Sequence, residues 1–249
     1  MRLRNLLLLG AAAYAGFLAF GLPASVVAPR IEALSGGRVT FVAANGTITE
    51  GSATLDVRTP RLGSVRVDEV RWRWQPGRLM RGQLAFAVEA RVAGLRVEAL
   101  AARSLREWQL HEARGAGDAG ALAKLLPLVA AWQPAGKLAF TAPLLAHDGS
   151  SLRGEAALEW REATLAISVA RPLGSWRATL AGDGGDAKVA LATTKGPLRL
   201  AGSGSLNPDG RLAFTGEARA EAGREAELAA VLDLFGPPRA DGARAIEVR

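Results

Sequence analysis

Leu84, Phe86, Val88, Ala90 and Val92 occupy every second position of one run, with alanine, glutamate and arginine between them. Side chains at i, i+2 and i+4 share one face of a strand and no face of a helix, so this run reads as a half-buried β-strand. The same alternation is found at Val39, Phe41 and Ala43, and again at Ala53, Leu55 and Val57. It recurs at Val65 and Val67, then changes parity across Asp68-Glu69 before Val70, Trp72 and Trp74, which predicts a bulge or a corner there.

Turn signals separate these runs. Asn45-Gly46 favours a tight hairpin, and Gln75-Pro76-Gly77 ends the tryptophan strand. Beyond residue 136 the spacing predicts strands over 137–140, 152–161, 164–170, 175–181, 187–193, 197–205, 211–220 and 227–235, most of them bounded by glycine, proline or aspartate. Between Gly117 and Trp132 the period changes. Leu122, Leu125, Leu126 and Val129 recur at spacings of three and four, with Asp118 placed to cap the first turn and Pro127 to kink the helix. A weak repeat links Gly82-Gln83-Leu84-Ala85-Phe86, Gly136-Lys137-Leu138-Ala139-Phe140 and Gly210-Arg211-Leu212-Ala213-Phe214 at unequal spacings, which argues against a solenoid of fixed period.

The N-terminus obeys another rule. After Arg2 and Arg4, the segment from Leu6 to Ala28 holds 23 residues without a charge. About 20 apolar residues in a helix cross the hydrocarbon of a bilayer. The two arginines act as topology determinants that keep the short N-terminus in the cytoplasm and send the rest of the chain across. A cleaved signal peptide is the competing reading, supported by small residues near Ala24, Ser25 and Ala28. Pro29 after the clearest cleavage point, and the length of the run, favour a retained anchor.

The expected organisation is therefore a cytoplasmic stub (1–5), a transmembrane anchor (6–28), a first periplasmic β layer (36–116), a connecting helix (117–133), a second β layer (136–235) and a C-terminal tail (236–249). The fold class is mainly β: an N-terminal transmembrane helix, then an antiparallel meander in two related layers, either a sandwich or an open half-pipe.

Composition removes most chemistry. Without cysteine there is no disulfide framework, no thiolate-ligated metal and no thiol catalysis. His111 and His147, the two histidines, have no ligand-spaced partner and read as surface or turn residues. Asp183-Gly184-Gly185-Asp186 occurs once and reads as a hairpin loop. Asp68-Glu69, and Glu159 with Glu162, sit among arginines and need no catalytic explanation. No phosphate loop, nucleophile elbow or dinucleotide fingerprint is present. The expectation is a non-enzyme with no cofactor, no metal and no catalytic residues.

The net charge of +7 lies wholly before residue 118, where 16 Lys+Arg face 9 Asp+Glu. Arg66, Arg71 and Arg73 alternate with apolar residues as on a solvated strand face, and an exported chain is not expected to meet nucleic acid. Of the six tryptophans, Trp72 and Trp74 share one strand face, and this pair is the first candidate for a partner-contact strip.

In this order, the basic start and anchor, Asn45-Gly46-Thr47 with Glu50-Gly51-Ser52-Ala53 (a G-T-x-x-x-G pattern), Val70-Arg71-Trp72-Arg73-Trp74-Gln75-Pro76 with Leu79 and Gly82, and the strands ending in Leu232 and Gly236 resemble the type II secretion system protein N family. The resemblance spans essentially the whole chain. It implies a bitopic inner-membrane component of the general secretion machinery. Its periplasmic domain would face other subunits, such as pseudopilus or inner-membrane components or the outer-membrane secretin, with membrane lipid met through the anchor. The family offers no catalytic residues to carry over. The alternative is a lipid-binding or lipid-transfer protein of AsmA-like or LPS-bridging type. The two differ in geometry: a closed sandwich counts against lipid conduction, and an open trough lined by Leu84, Phe86 and Val88 counts against a pure scaffold.

Overall fold

In the computed structural model, which describes residues 21–59 and 63–248, thirteen antiparallel strands form one sheet. They are β1 (Val39–Gly46), β2 (Glu50–Thr59), β3 (Gly63–Trp74), β4 (Leu84–Val92), β5 (Leu95–Arg103), β6 (Trp108–Asp118) and β7 (Ala135–His147). They continue as β8 (Leu152–Thr164), β9 (Gly174–Asp183), β10 (Ala187–Lys195), β11 (Leu198–Leu206), β12 (Leu212–Ala220) and β13 (Arg244–Val248). Spatial order equals chain order, so every strand pairs with its sequence neighbours.

The mainly β class is as expected, but β6 and β7 pair directly over ten residue pairs, from Trp108 with His147 to Asp118 with Lys137. The two layers are thus halves of one sheet. Helical structure between them is shorter than the 117–133 span. Asp118 belongs to β6, and only α2 (Ala121–Leu125) and α3 (Pro127–Ala130) are helical. Pro127 cannot donate to the preceding turn, and Leu126 before it is extended, at φ −126° and ψ 88°.

Three further expectations are corrected. The strand over 227–235 is the helix α4 (Glu225–Leu232) with a 3-10 turn at Asp233–Phe235. Leu228, Val231 and Leu232 stand at helical spacing, and Glu225 and Glu227 in the first turn suit the helix dipole. The segment after Thr164 leaves the sheet instead of forming a strand to Ala170. The first hairpin turns at 47–49, because β1 runs on through Asn45 paired with Ser52 and Gly46 paired with Gly51. By contrast, the parity change at Asp68-Glu69 coincides with a register shift between Val67 and Glu69 against β4.

Strand alternation puts polar and apolar residues on opposite faces. One cross-strand row runs Ala44, Ala53, Val70, Ala90, Val97, Gly115, Phe140, Leu158, Ala178, Leu191, Gly202, Gly216, Ile246, spanning all thirteen strands without a polar side chain. The adjacent row begins Ser52, Arg71, Glu89, Glu98, Arg114, Thr141 and ends Ser203, Thr215, Glu247.

A packed core exists where something covers the apolar face. Under α4, Leu173, Trp176, Leu198, Leu228, Val231 and Leu232 are buried together with Ala163, Ala170 and Ala218. At the other end, α1 (Ala24–Leu34) lies against β1 and serves its free edge: the Phe41 amide donates to Glu32 Oε1 at 2.6 Å and the Val39 amide to Ser35 Oγ at 3.1 Å. Ala24 to Ala28, the end of the charge-free segment, therefore belong to the folded domain. The rest of the anchor, with Arg2 and Arg4, lies outside the described residues. Among those described, no helix is long and apolar enough to cross a membrane.

Since Leu228 is fully buried in the core that α4 forms with the sheet, L228A is expected to cost about 3 kcal/mol of stability, read as a lowered urea midpoint.

Candidate interaction face

The apolar face is built from inward positions of every strand, and much of it stays open. Leu84 is 48% exposed, Leu158 46% and Trp108 60%, all on this side of the sheet. Three of its tryptophans share one local arrangement. Trp72 Nε1 donates to the Thr47 carbonyl at 3.1 Å, Trp160 Nε1 to the Ala135 carbonyl at 3.0 Å, and Trp176 Nε1 to the Leu198 carbonyl at 3.1 Å. Each indole donor is thus used by the protein's own backbone, and what the rings present outward is carbon.

Close approach of a ring to backbone requires a residue without Cβ. A Cβ on Gly51 would stand 2.6 Å from Trp72 Cζ2 and 2.5 Å from the Asn45 carbonyl oxygen. The spacing of Gly46, Thr47 and Gly51 thereby acquires a physical meaning: Thr47 receives the indole and Gly51 makes room for it. Gly136 does the same beside Trp160, where a Cβ would lie 3.0 Å from Nε1.

In the second half of the sheet, the face deepens into a cavity of about 360 Å³. Its floor includes Trp160, Trp176, Leu191 and Leu200. Leu122, Leu126 and Val129 stand on one side, and Val231, Leu234 and Phe235 on the other. The Trp160 and Trp176 rings meet edge to face, with centroids 5.4 Å apart at 77°. A volume in this range suits a small organic ligand. With the floor's indole donors occupied, such a pocket favours hydrocarbon.

The opposite face carries charge in matched pairs. Arg66 meets Asp56 at 2.9 Å, Arg114 meets Glu98 at 3.0 Å, and Glu69 lies between Arg71 at 2.6 Å and Arg91 at 3.6 Å. Glu159 takes both Arg161 and Arg177, whose Nε atoms donate to it at 2.7 and 2.8 Å. The hydrogen bond from Arg177, then that from Arg161, holds the Glu159 carboxyl below its ordinary 4.5. Exposed pairs of this kind are screened by solvent and contribute little each, so they keep this face wet more than they hold the fold.

The remaining sequence candidates fall on this frame singly. Trp72 and Trp74 are half-buried neighbours on the apolar face, between exposed Arg71 and Arg73 on the other. His111 is a residue of β6. It bonds Gln109 Oε1 at 2.9 Å, and burial, then the nearby Arg78 charge, lowers its pKa below the ordinary 6.5. His147 Nδ1 lies 2.8 Å from the Ser151 carbonyl oxygen. Asp148 accepts from the Ser151 amide at 2.8 Å and its hydroxyl at 2.7 Å, which with Ser150 holds it far below the usual carboxylate range. Asp183 and Asp186 flank the β9–β10 turn. Among the described residues, no three His, Cys, Asp or Glu side chains are grouped so as to hold a metal ion. The cavity is not legible in the sequence, because α4, one of its walls, reads as a strand by local pattern.

Two predictions arise here. G51A is expected to cost about 1–3 kcal/mol through displacement of the Trp72 ring, measured by urea unfolding together with tryptophan fluorescence. Glu159 has a lowered pKa in the folded state, so its contribution is present above 4.5 and is lost as pH falls through the folded value. E159Q should therefore lower the urea midpoint at neutral pH, and its curve should meet the wild-type curve in acid.

Residues 37–247 match the family model for type II secretion system (T2SS), protein N. No curated protein and no solved structure matches the chain at a significant level. The matched span begins just ahead of β1 and ends within β13, so it takes in the whole sheet with both of its faces. The chain belongs to the type II secretion system protein N family.

Proposed function

We propose that this chain is a non-enzymatic subunit of the type II secretion apparatus, anchored in the inner membrane by the part of the charge-free segment that precedes residue 21, with its sheet in the periplasm. It acts by contact with other subunits of the pseudopilus, the inner-membrane platform or the secretin. The observation that carries this reading is the family match over the entire sheet. The Trp72–Trp74 strip is the proposed contact: its apolar face is half open, and Arg71 and Arg73 beside it reach water on the opposite side.

A second reading rests on the unbroken apolar row and the cavity at its deep end. An uncovered face of this kind fits an acyl chain, which brings no polar group to be left unpaired. On that reading the subunit holds lipid on the same face that the first reading gives to protein.

Photocrosslinking in cells from position 84, which is open and adjoins Trp74 through Phe86, separates the two. Capture of secretion subunits is the outcome expected of the contact reading. Capture of phospholipid with no subunit would remove it in favour of the second.

A further inference from the structure

In a meander, alternate turns lie at the same end of the sheet, so the β1–β2, β3–β4 and β5–β6 connections form one half of a rim, whose other half is the β7–β8, β9–β10 and β11–β12 turns with Asp148, Asp183, Asp186 and Asp209. Hydrogen bonds join the first three connections in sequence. The Ile48 amide donates to the Leu22 carbonyl at 3.0 Å, the Trp74 amide to the Thr49 carbonyl at 2.6 Å, and Gln83 Nε2 to Gln109 Oε1 at 2.8 Å. The described residues begin here, where Pro23 bridges to Thr47.

This half of the rim has its own composition. Met80, in the 3-10 helix Pro76–Arg81 between β3 and β4, is 94% exposed, and Leu105, in the β5–β6 turn, 98%. Arg81 and Arg106 adjoin them and are exposed. Trp108, 60% exposed, lies under the Arg103 guanidinium at 4.8 Å. Glu107, the acid of these two loops, is taken by Arg153. Protruding apolar tips with free guanidinium groups and a surface tryptophan match the boundary between lipid headgroups and acyl chains. There the tips enter, the cations remain with phosphate and the indole takes the interface.

We infer that this half of the rim rests on an anionic phospholipid surface, with Met80 and Leu105 inserted and Arg81, Arg103 and Arg106 over the headgroups. The inference rests on the anchor reading and adds an orientation to it: the first six strands stand on the membrane by this end, with the β2–β3 and β4–β5 turns directed away and the acidic turns of the second half held off the surface. Two features choose lipid over a protein partner. Leu22 and Pro23, which follow the proposed anchor, are joined to this rim, and the unpaired charge of its β3–β4 and β5–β6 turns is of one sign, opposite to that of an acidic bilayer.

The chain has no cysteine, so a single introduced thiol labels one site. The full chain, as L105C, as M80C and, at the far end of the sheet, as S64C, is labelled with nitrobenzoxadiazole. It is then reconstituted into vesicles of phosphatidylethanolamine and phosphatidylglycerol containing nitroxide lipid. Quenching at 80 and 105 is expected to exceed that at 64 several-fold. The excess should shrink in phosphatidylcholine vesicles and when R81Q and R106Q are added. Equal quenching at both ends, or an excess indifferent to lipid charge and to the arginines, overturns the inference while leaving the anchor intact. A chain that an alkaline wash strips from the vesicles overturns anchor and rim together.

Discussion

A single layer of sheet has one apolar face and no second layer to bury it against, and the rest of this molecule is arranged around that fact. Thirteen strands give a row of apolar or glycine positions from Ala44 to Ile246. In a sandwich, a facing sheet would complete the core about 10 Å away. Here α4 and the α2–α3 connection do so over part of the second half only, where Leu173, Leu198 and Leu228 are sealed off. The first half keeps its valines, Phe86 and two tryptophans half exposed. Burial elsewhere in the molecule must hold this open face in place, which suits a surface made to be occupied.

The two edges of the sheet are treated differently. On β1, α1 supplies acceptors to strand amides, so the edge is partly closed by side chains of the same chain. On the other side, β13 is five residues long and ends in Glu247 and Val248. Short, charged edges resist the addition of further strands. The polar face, with its alternating Arg and Glu, gives solubility without making the sheet symmetric.

Much of this was legible from residue spacing. Period two at Leu84 to Val92 gave β4 directly, and the parity change at Asp68-Glu69 gave a register shift. The G-T-x-x-x-G pattern was recognisable before its cause, because a ring resting over Gly51 is a contact between β2 and β3 that no local window contains. What misled was tertiary in origin. Glu225 to Leu232 has apolar residues that satisfy either period, and it becomes a helix because Leu228, Val231 and Leu232 cap the core over β11 and β12. The helical pattern after Gly117 was partly overruled by pairing of Gly117 and Asp118 with β7. The cavity depends on both of these elements and was out of reach of sequence for that reason.

The strict neighbour-to-neighbour pairing also determines how the domain answers a pull. Each strand is held by the strand before it and the strand after it, so stability is close to a sum of local interfaces along one dimension. Tension entering through the N-terminal segment falls first on α1 and on the Pro23–Thr47 and Leu22–Ile48 links, and then on β1 against β2. Such a sheet yields by peeling, one hairpin at a time, while the sealed core under α4 at the far end stays folded longest.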